Sequence, residues 1–321
     1  MINERISKLR KLMAKRNIDA YIVPSSDPHQ SEYLADYYKT RQFITGFTGS
    51  AGTAVITTKK SGLWTDGRYF IQAAKELSVG EVELYKMGVP DSISIEEFLL
   101  KEFPNGVAKI AFDGNNTSVA EYENLMRKLP NFEFITDVDY IGDIWNEEGR
   151  PAKPDSKVYI FDEKYSGEST SDRIARLRSM MKERGIDYHF IGSLDDIAYV
   201  LNIRANDVQC NPVVISYHLI SENTCNLYID KSKLSQEVAD YLKENNISIK
   251  AYEVIARDIS DIEAKKTLYL ETKKTNVAVY SSIGRGVNVV TGLNLTSIMK
   301  CHKNEIEIKT PKNAFITDGV A

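Results

Sequence analysis

The sequence predicts two α/β domains in tandem, and three observations carry that reading. A segment near the start repeats further along the chain, a proline-rich charged stretch separates the copies, and strand-like and helix-like runs alternate within each half. A length of 321 residues also favours two domains over one.

The repeat is the strongest of the three. Residues 5–19 read RISKLRKLMAKRNID and residues 173–187 read RIARLRSMMKERGID, at a constant offset of 168. Ile6, Leu9 and Met13 fall on one helical face, as do Ile174, Leu177 and Met181. Each helix stops at a turn-favouring residue, Asn17 or Gly185, and feeds a short apolar run, 20–23 or 188–191. A period this long excludes a solenoid, so a duplicated domain is inferred. Between the copies, Glu147 to Pro154 reads as a linker, because its prolines and charges suit neither a helix nor a central strand. The expected layout is a first domain over 1–140, a linker over 141–156, a second domain over 157–302, and a terminal segment over 303–321.

Within the first half, strands are expected at 53–58 and 62–65 around a turn at Lys59-Lys60-Ser61. Asp66-Gly67 then turns into a helix beginning near Arg68, and Ser118-Val119-Ala120-Glu121 has the capping-box pattern ahead of a helix over 122–129. The second half offers strands at 157–161, 213–220 and 225–229, then a helix at about 233–245. Hairpin-like pairs in both halves point to mixed sheets.

Composition excludes several classes of function. The net charge of −4 is mixed along the chain, unlike the basic stripe of a nucleic-acid binder. No run of about 18 apolar residues reads as a membrane span, and the N-terminus opens an amphipathic pattern rather than a signal sequence. Cys210, Cys225 and Cys301 are too few and too scattered for a disulfide framework or zinc ribbon, which suits reduced thiols in a cytoplasmic protein. His29, His189, His218 and His302 are far apart and match no metal-ligand spacing. By its own residues the chain does not read as a complete hydrolase.

Several motifs have both a chemical and a plain structural reading. Gly46-Phe47-Thr48-Gly49-Ser50-Ala51-Gly52 lacks the spacing of a dinucleotide fingerprint and leads into a strand, so a tight, close-packed turn is favoured. Ser26-Asp27-Pro28-His29 follows the first strand, where α/β proteins place functional loops, yet Asp27-Pro28 is a ready-made turn. Trp64 to Tyr69 offers an Arg able to grip a carboxylate, against the alternative that Arg68 pairs with Asp66 in an Asp-Gly turn. Arg204 to Asp207 is read as a structural loop.

Taken together and in order, SDPHQSEYL (26–34), FITGFTGSAGTAVIT (43–57), LWTDGRYFIQA (63–73), DIWNEEGRPAKP (143–154), EKYSGEST (163–170), LDDIAYVLNIRANDVQCNPVVISYHLI (194–220) and KNEIEIKTPKNAFITDGVA (303–321) resemble the three-domain Xaa-Pro aminopeptidases of the creatinase and prolidase group. The resemblance implies two related creatinase-type N-terminal domains, each a ribonuclease-H-like mixed sheet flanked by helices. The final segment is similar to the entry helix of the group's pita-bread catalytic domain, with Phe315 where many relatives carry a histidine. The five metal ligands of that domain are expected beyond Ala321, so the pita-bread domain is read as absent and no cofactor is expected in this chain.

For the parent protein the resemblance implies hydrolysis of the N-terminal X-Pro bond of peptides with proline second. It also implies two divalent metal ions, typically Mn2+, and a homodimer, with no nucleic-acid or membrane partner. The N-terminal domains are then expected to restrict substrate access and support assembly. His29, Arg41, Asp66 and Arg68 are the candidate substrate-access residues, by their place in or beside the matching motifs. The alternative is a binding module within a pita-bread protein that has lost its metals.

Overall fold

The computed structural model describes residues 1–320 and divides into two compact units. The first comprises Met1–Lys153 with Asn276–Ala278, and the second comprises Pro154–Thr275 with Val279 onward.

In the first unit, β1 (Ala20–Pro24), β2 (Thr53–Thr57), β3 (Ser61–Thr65), β4 (Val82–Lys86), β5 (Lys109–Ala111) and β6 (Glu133–Ile135) form one sheet in the order β4-β3-β2-β1-β5-β6. β2 runs antiparallel to both β1 and β3, and the remaining pairs are parallel. Both faces of the sheet are covered. Tyr21 and Val23 pack with Ile6, Leu9 and Met13 of the helix Ile2–Lys15. Ala20 and Ile22 pack on the other face with Phe98 and Leu99 of the helix Ile95–Glu102. A strand buried on both sides needs apolar residues at every position, which is why 20–23 reads as an unbroken run.

The helix signals are met in detail. Ser118 and Glu121 form a full capping box for Val119–Lys128, and Asn17 and Gly185 both take left-handed backbone, with φ of 52° and 64°. The span 141–147 departs from the linker reading. Tyr140–Glu147 is a helix, capped by Asp139, whose Oδ1 accepts the Gly142 N–H at 2.7 Å. Ile141 and Ile144 bury this helix in the same core as Met13, and that apolar spacing outweighs the charges of Glu147 and Glu148. The helix expected from Arg68 begins instead at Phe70, after a single 3-10 turn over Gly67–Tyr69.

The second unit contains β7 (Tyr159–Ile160), β8 (Tyr188–Ile191), β9 (Ile203–Arg204), β10 (Ser216–Ser221), β11 (Cys225–Ile229), β12 (Ser248–Lys250), β13 (Thr267–Leu270) and β14 (Asn288–Thr291). Its main sheet has the order β12-β11-β10-β8-β13-β14, while β7 and β9 pair separately. Matched strand for strand, directions and order repeat those of the first unit. Two expected strands are shorter than their apolar content suggests. The segment 157–161 reduces to β7, and 213–220 starts as a strand only at Ser216, with helix Gln236–Glu244 following.

The repeated polar residues make the same bonds in both units. Arg10 Nε donates to the Thr57 carbonyl at 2.9 Å, and Arg178 Nε donates to the Ser221 carbonyl at 3.0 Å. Arg5 lies 3.9 Å over the Phe43 ring and donates to the Phe43 carbonyl. Arg173 lies 4.0 Å over Tyr199 and donates to the Tyr199 carbonyl. The duplicated arginines therefore fasten the repeated helix, Ile2–Lys15 or Thr170–Glu183, to its own neighbours.

Candidate functional site

Three of the motif segments emerge at one end of the first sheet. β1 and β3 run in the same direction, because each pairs antiparallel with β2 between them. The loop after β1 (25–31), the turn after β3 (66–69) and the glycine loop entering β2 (46–52) are thus neighbours, although dispersed in sequence.

Arg41 is the hub of this end. It lies on the short helix Thr40–Thr45 and is almost fully buried. Its Nε donates to Ser25 Oγ at 2.9 Å, and its two terminal nitrogens donate to the carbonyls of Phe47 and Gly49. Ser25 in turn donates from Oγ to the Gly52 carbonyl at 2.7 Å, closing the link between the first loop and the glycine loop. Burial lowers the Arg41 guanidinium to about 10, against the opposing pull of Glu76. It remains a cation at neutral pH, held by carbonyl dipoles.

The glycine loop is shaped by close approach. Gly46 ends the helix with φ of 77°, and a Cβ on Gly49 would fall 2.3 Å from Phe47 Cζ. Phe47 meets Tyr69 edge to face at 5.9 Å, and Ser50 Oγ bonds the Tyr69 hydroxyl at 2.6 Å. Glu76 accepts from both the N–H and the hydroxyl of Thr48, at 2.8 and 2.7 Å. The dense turn expected from the glycines is what forms, and no helix N-terminus follows to cradle a phosphate.

Asp66 and Arg68 close on each other. Arg68 donates from Nε to Asp66 Oδ1 at 2.9 Å and from Nη2 to Oδ2 at 2.8 Å, and its backbone N–H reaches Oδ1 at 3.1 Å. The Arg68 side-chain bond holds the Asp66 carboxyl down at about 2 and raises Arg68 above the ordinary arginine range. The pair lies at the surface, with the Arg68 side chain 69% exposed. His29 is buried, and its backbone N–H donates to Asp27 Oδ1, which also takes the Ser31 N–H. The Asp-Pro turn reading of this loop matches that geometry.

The candidate residues thus share one end of the sheet in different environments: Arg41 and His29 inside, Asp66 and Arg68 facing water. Sequence reading missed Ser25, Ser50 and Glu76. Ser25 carried a usable signal, since it recurs as Ser193 at the same offset of 168. In the second unit Ser193 bonds Asp196 Oδ2 at 2.9 Å, and Lys300 pairs with that buried carboxylate at 2.7 Å. Arg204 and Asp207 are structural: Asp207 is buried, pairs with Lys233 at 2.6 Å and accepts the Ile215 N–H. Among the described residues, no three His, Cys, Asp or Glu side chains gather in a way that could hold a metal ion. No step through a metal is therefore derived for this chain. Nor is any described helix long and apolar enough to cross a membrane.

The two units share one sheet order and one pattern of strand directions. Models of the creatinase/prolidase N-terminal domain match residues 5–141 and 149–307, and the chain belongs to that family. Among relatives, it is 37% identical to a probable Xaa-Pro aminopeptidase P of Talaromyces stipitatus and 34% identical to one of Neurospora crassa. Each match covers 99% of this chain but only 50% and 48% of the relative, so the chain spans about half their length. An X-prolyl aminopeptidase from Caenorhabditis elegans, described as a cytosolic enzyme with a di-nuclear active site, superposes with a TM-score of 0.90 at 30% identity. That match covers 96% of this chain and 52% of the solved one.

Proposed function

We propose that this chain is the non-catalytic N-terminal part of a cytoplasmic, metal-dependent Xaa-Pro aminopeptidase, made of two creatinase-type domains. The observation that carries the reading is the near-complete match to the first half of such enzymes, 99% of this chain against about half of each relative. An X-Pro bond is a tertiary amide without an N–H, so its hydrolysis calls for a dedicated enzyme. In the parent enzyme two divalent metals, Mn2+ by analogy, would supply the nucleophilic hydroxide from residues outside this chain.

The role proposed for these domains is to restrict access to that centre and to support a homodimer. The sheet end formed by Asp66, Arg68 and the loops pinned by Arg41 is the part proposed to face the entrance. Its exposed Arg68 is oriented by Asp66, and the loops behind it are held from within. This supports a preformed rim rather than a mobile flap.

The test is direct. The chain is incubated with Mn2+ and an X-Pro peptide, and release of the first residue is followed. No turnover is expected; robust metal-dependent cleavage would show that the chemistry lies within these residues.

A further inference from the structure

The first unit contains a cavity of about 380 Å3 on the sheet face away from the helix Ile2–Lys15. That volume is in the range of small-molecule sites, roughly 300–1,000 Å3. Its floor is apolar, built from Ile22, Trp64, Phe112 and Leu125. Its rim carries Glu96, Glu97 and Glu121, and among the described residues no lysine, arginine or histidine lines it.

Strand register explains why the space exists. In the first sheet Thr53 pairs with Trp64, and in the second the pair at the equivalent position is Tyr217 with Tyr228. The equivalence follows from the offset of 168, which places Ile22 on Phe190; these pair with Val55 and Leu219, two positions beyond Thr53 and Tyr217. Tyr217 fills its site by stacking on Tyr252 at 4.9 Å. Thr53 is too short to do so, and space remains beside it, over the buried Trp64.

The carboxylates retain capacity for a ligand. The capping boxes use Oε2 of Glu97, which takes the Ser94 N–H, and Oε2 of Glu121, which takes the Ser118 N–H and hydroxyl. Their Oε1 atoms accept no hydrogen bond from the described residues. Glu96 is matched by Lys128 at 3.1 Å, so the rim keeps a negative balance from the other two.

We propose that this cavity is a binding site for a small apolar ammonium, a ligand with one hydrocarbon or aromatic body and a primary amine. The body would lie against Met87, Ile93 and Ile95, beside the buried Trp64, and the ammonium would meet Glu97 and Glu121 at the mouth. An ammonium satisfies acceptor-only groups with its three donors, whereas a carboxylate at the same rim is repelled. The assignment is independent of the peptidase reading.

The experiment uses the whole chain and the two indole N–H signals of its only tryptophans, Trp64 and Trp145. Phenethylammonium, neutral N-acetylphenethylamine and anionic 3-phenylpropionate are titrated in turn, the indole signals being assigned with Trp145→Phe. A saturable shift of the Trp64 signal is expected with the ammonium, and binding about five-fold weaker or worse with the other two. Thr53→Tyr, which copies the second unit, should abolish the shift. Glu97→Gln with Glu121→Gln preserves both capping boxes and should remove the preference for the ammonium while leaving the neutral probe unchanged. No saturable shift at Trp64, equal binding of ammonium and carboxylate, or undiminished binding by a folded Thr53→Tyr variant would each overturn the proposal.

Discussion

Asp19 and Asp187, 168 positions apart, make the same bond: each Oδ2 accepts the N–H of the first residue of the neighbouring parallel strand, Lys109 or Thr267, at 2.8 Å. In both units the aspartate backbone N–H returns a bond to the carbonyl of that same residue. The carboxylate thus sets the register at which β5 joins β1 and β13 joins β8. Asp187→Ala is expected to cost about 1.5–3 kcal/mol in urea unfolding, whereas Asp187→Asn keeps an acceptor and should cost less. The Thr267 N–H bond holds the Asp187 carboxyl below its ordinary value. Its contribution is therefore present at neutral pH and is lost as pH falls through the lowered folded value. Equal costs for Ala and Asn at pH 7 would contradict the bond.

Arg41 bridges two loops with three donors, and lysine cannot reproduce that fork. Arg41→Lys and Arg41→Met should each destabilise the first unit by about 3 kcal/mol or more, with faster hydrogen exchange confined to residues 46–52. Gly49→Ala should loosen the same loop, since its Cβ would collide with Phe47 and Tyr69. Unchanged exchange in this loop for all three variants would remove Arg41 from its assigned role.

Arg68 gives the opposite expectation. Its pair with Asp66 is exposed, so Arg68→Ala in the full-length parent should leave the unfolding midpoint unchanged within error. If this end of the sheet faces the entrance, kcat/KM on X-Pro peptides should drop while assembly stays intact. Unaltered kcat/KM would leave Arg68 as turn architecture only.

The second unit should be acid-labile. His189 and His218 are wholly buried, and burial lowers them to about 4 and about 3. The unfolded chain takes up these protons below its ordinary histidine value of about 6.5, while the folded chain does not. Stability is therefore full above that value and declines as pH falls from about 6.5 towards 4, at up to about 1.4 kcal/mol per pH unit for each histidine. Urea unfolding at pH 7, 6 and 5 should show this slope, and His189→Phe should reduce it by about half, leaving the His218 contribution. A slope unaffected by that variant would place the lability elsewhere.

Much of this fold is legible in the order of residues alone. Ile6, Leu9 and Met13, with Ile174, Leu177 and Met181, mark two equivalent helices, and unbroken apolar runs mark strands buried on both faces. The span 140–147 is less legible, because Glu147, Glu148 and two later prolines obscure the two buried isoleucines that anchor it. The candidate site is half visible: its motifs stand out as motifs, but nothing local sets Arg41 inside and Arg68 outside.

Periodicity, capping residues and the repeat are short-range or self-referential signals, and they suffice to specify two related α/β domains in a recognisable order. Strand order, and with it the meeting of residues 25, 41, 49 and 66 at one end of the sheet, depends on pairings between segments far apart in the chain. The cavity beside Trp64 is a tertiary result of the same kind. Thr53 and Tyr217 occupy equivalent positions only once the hydrogen-bond register of each sheet is known, and that register is fixed by contacts across the sheet.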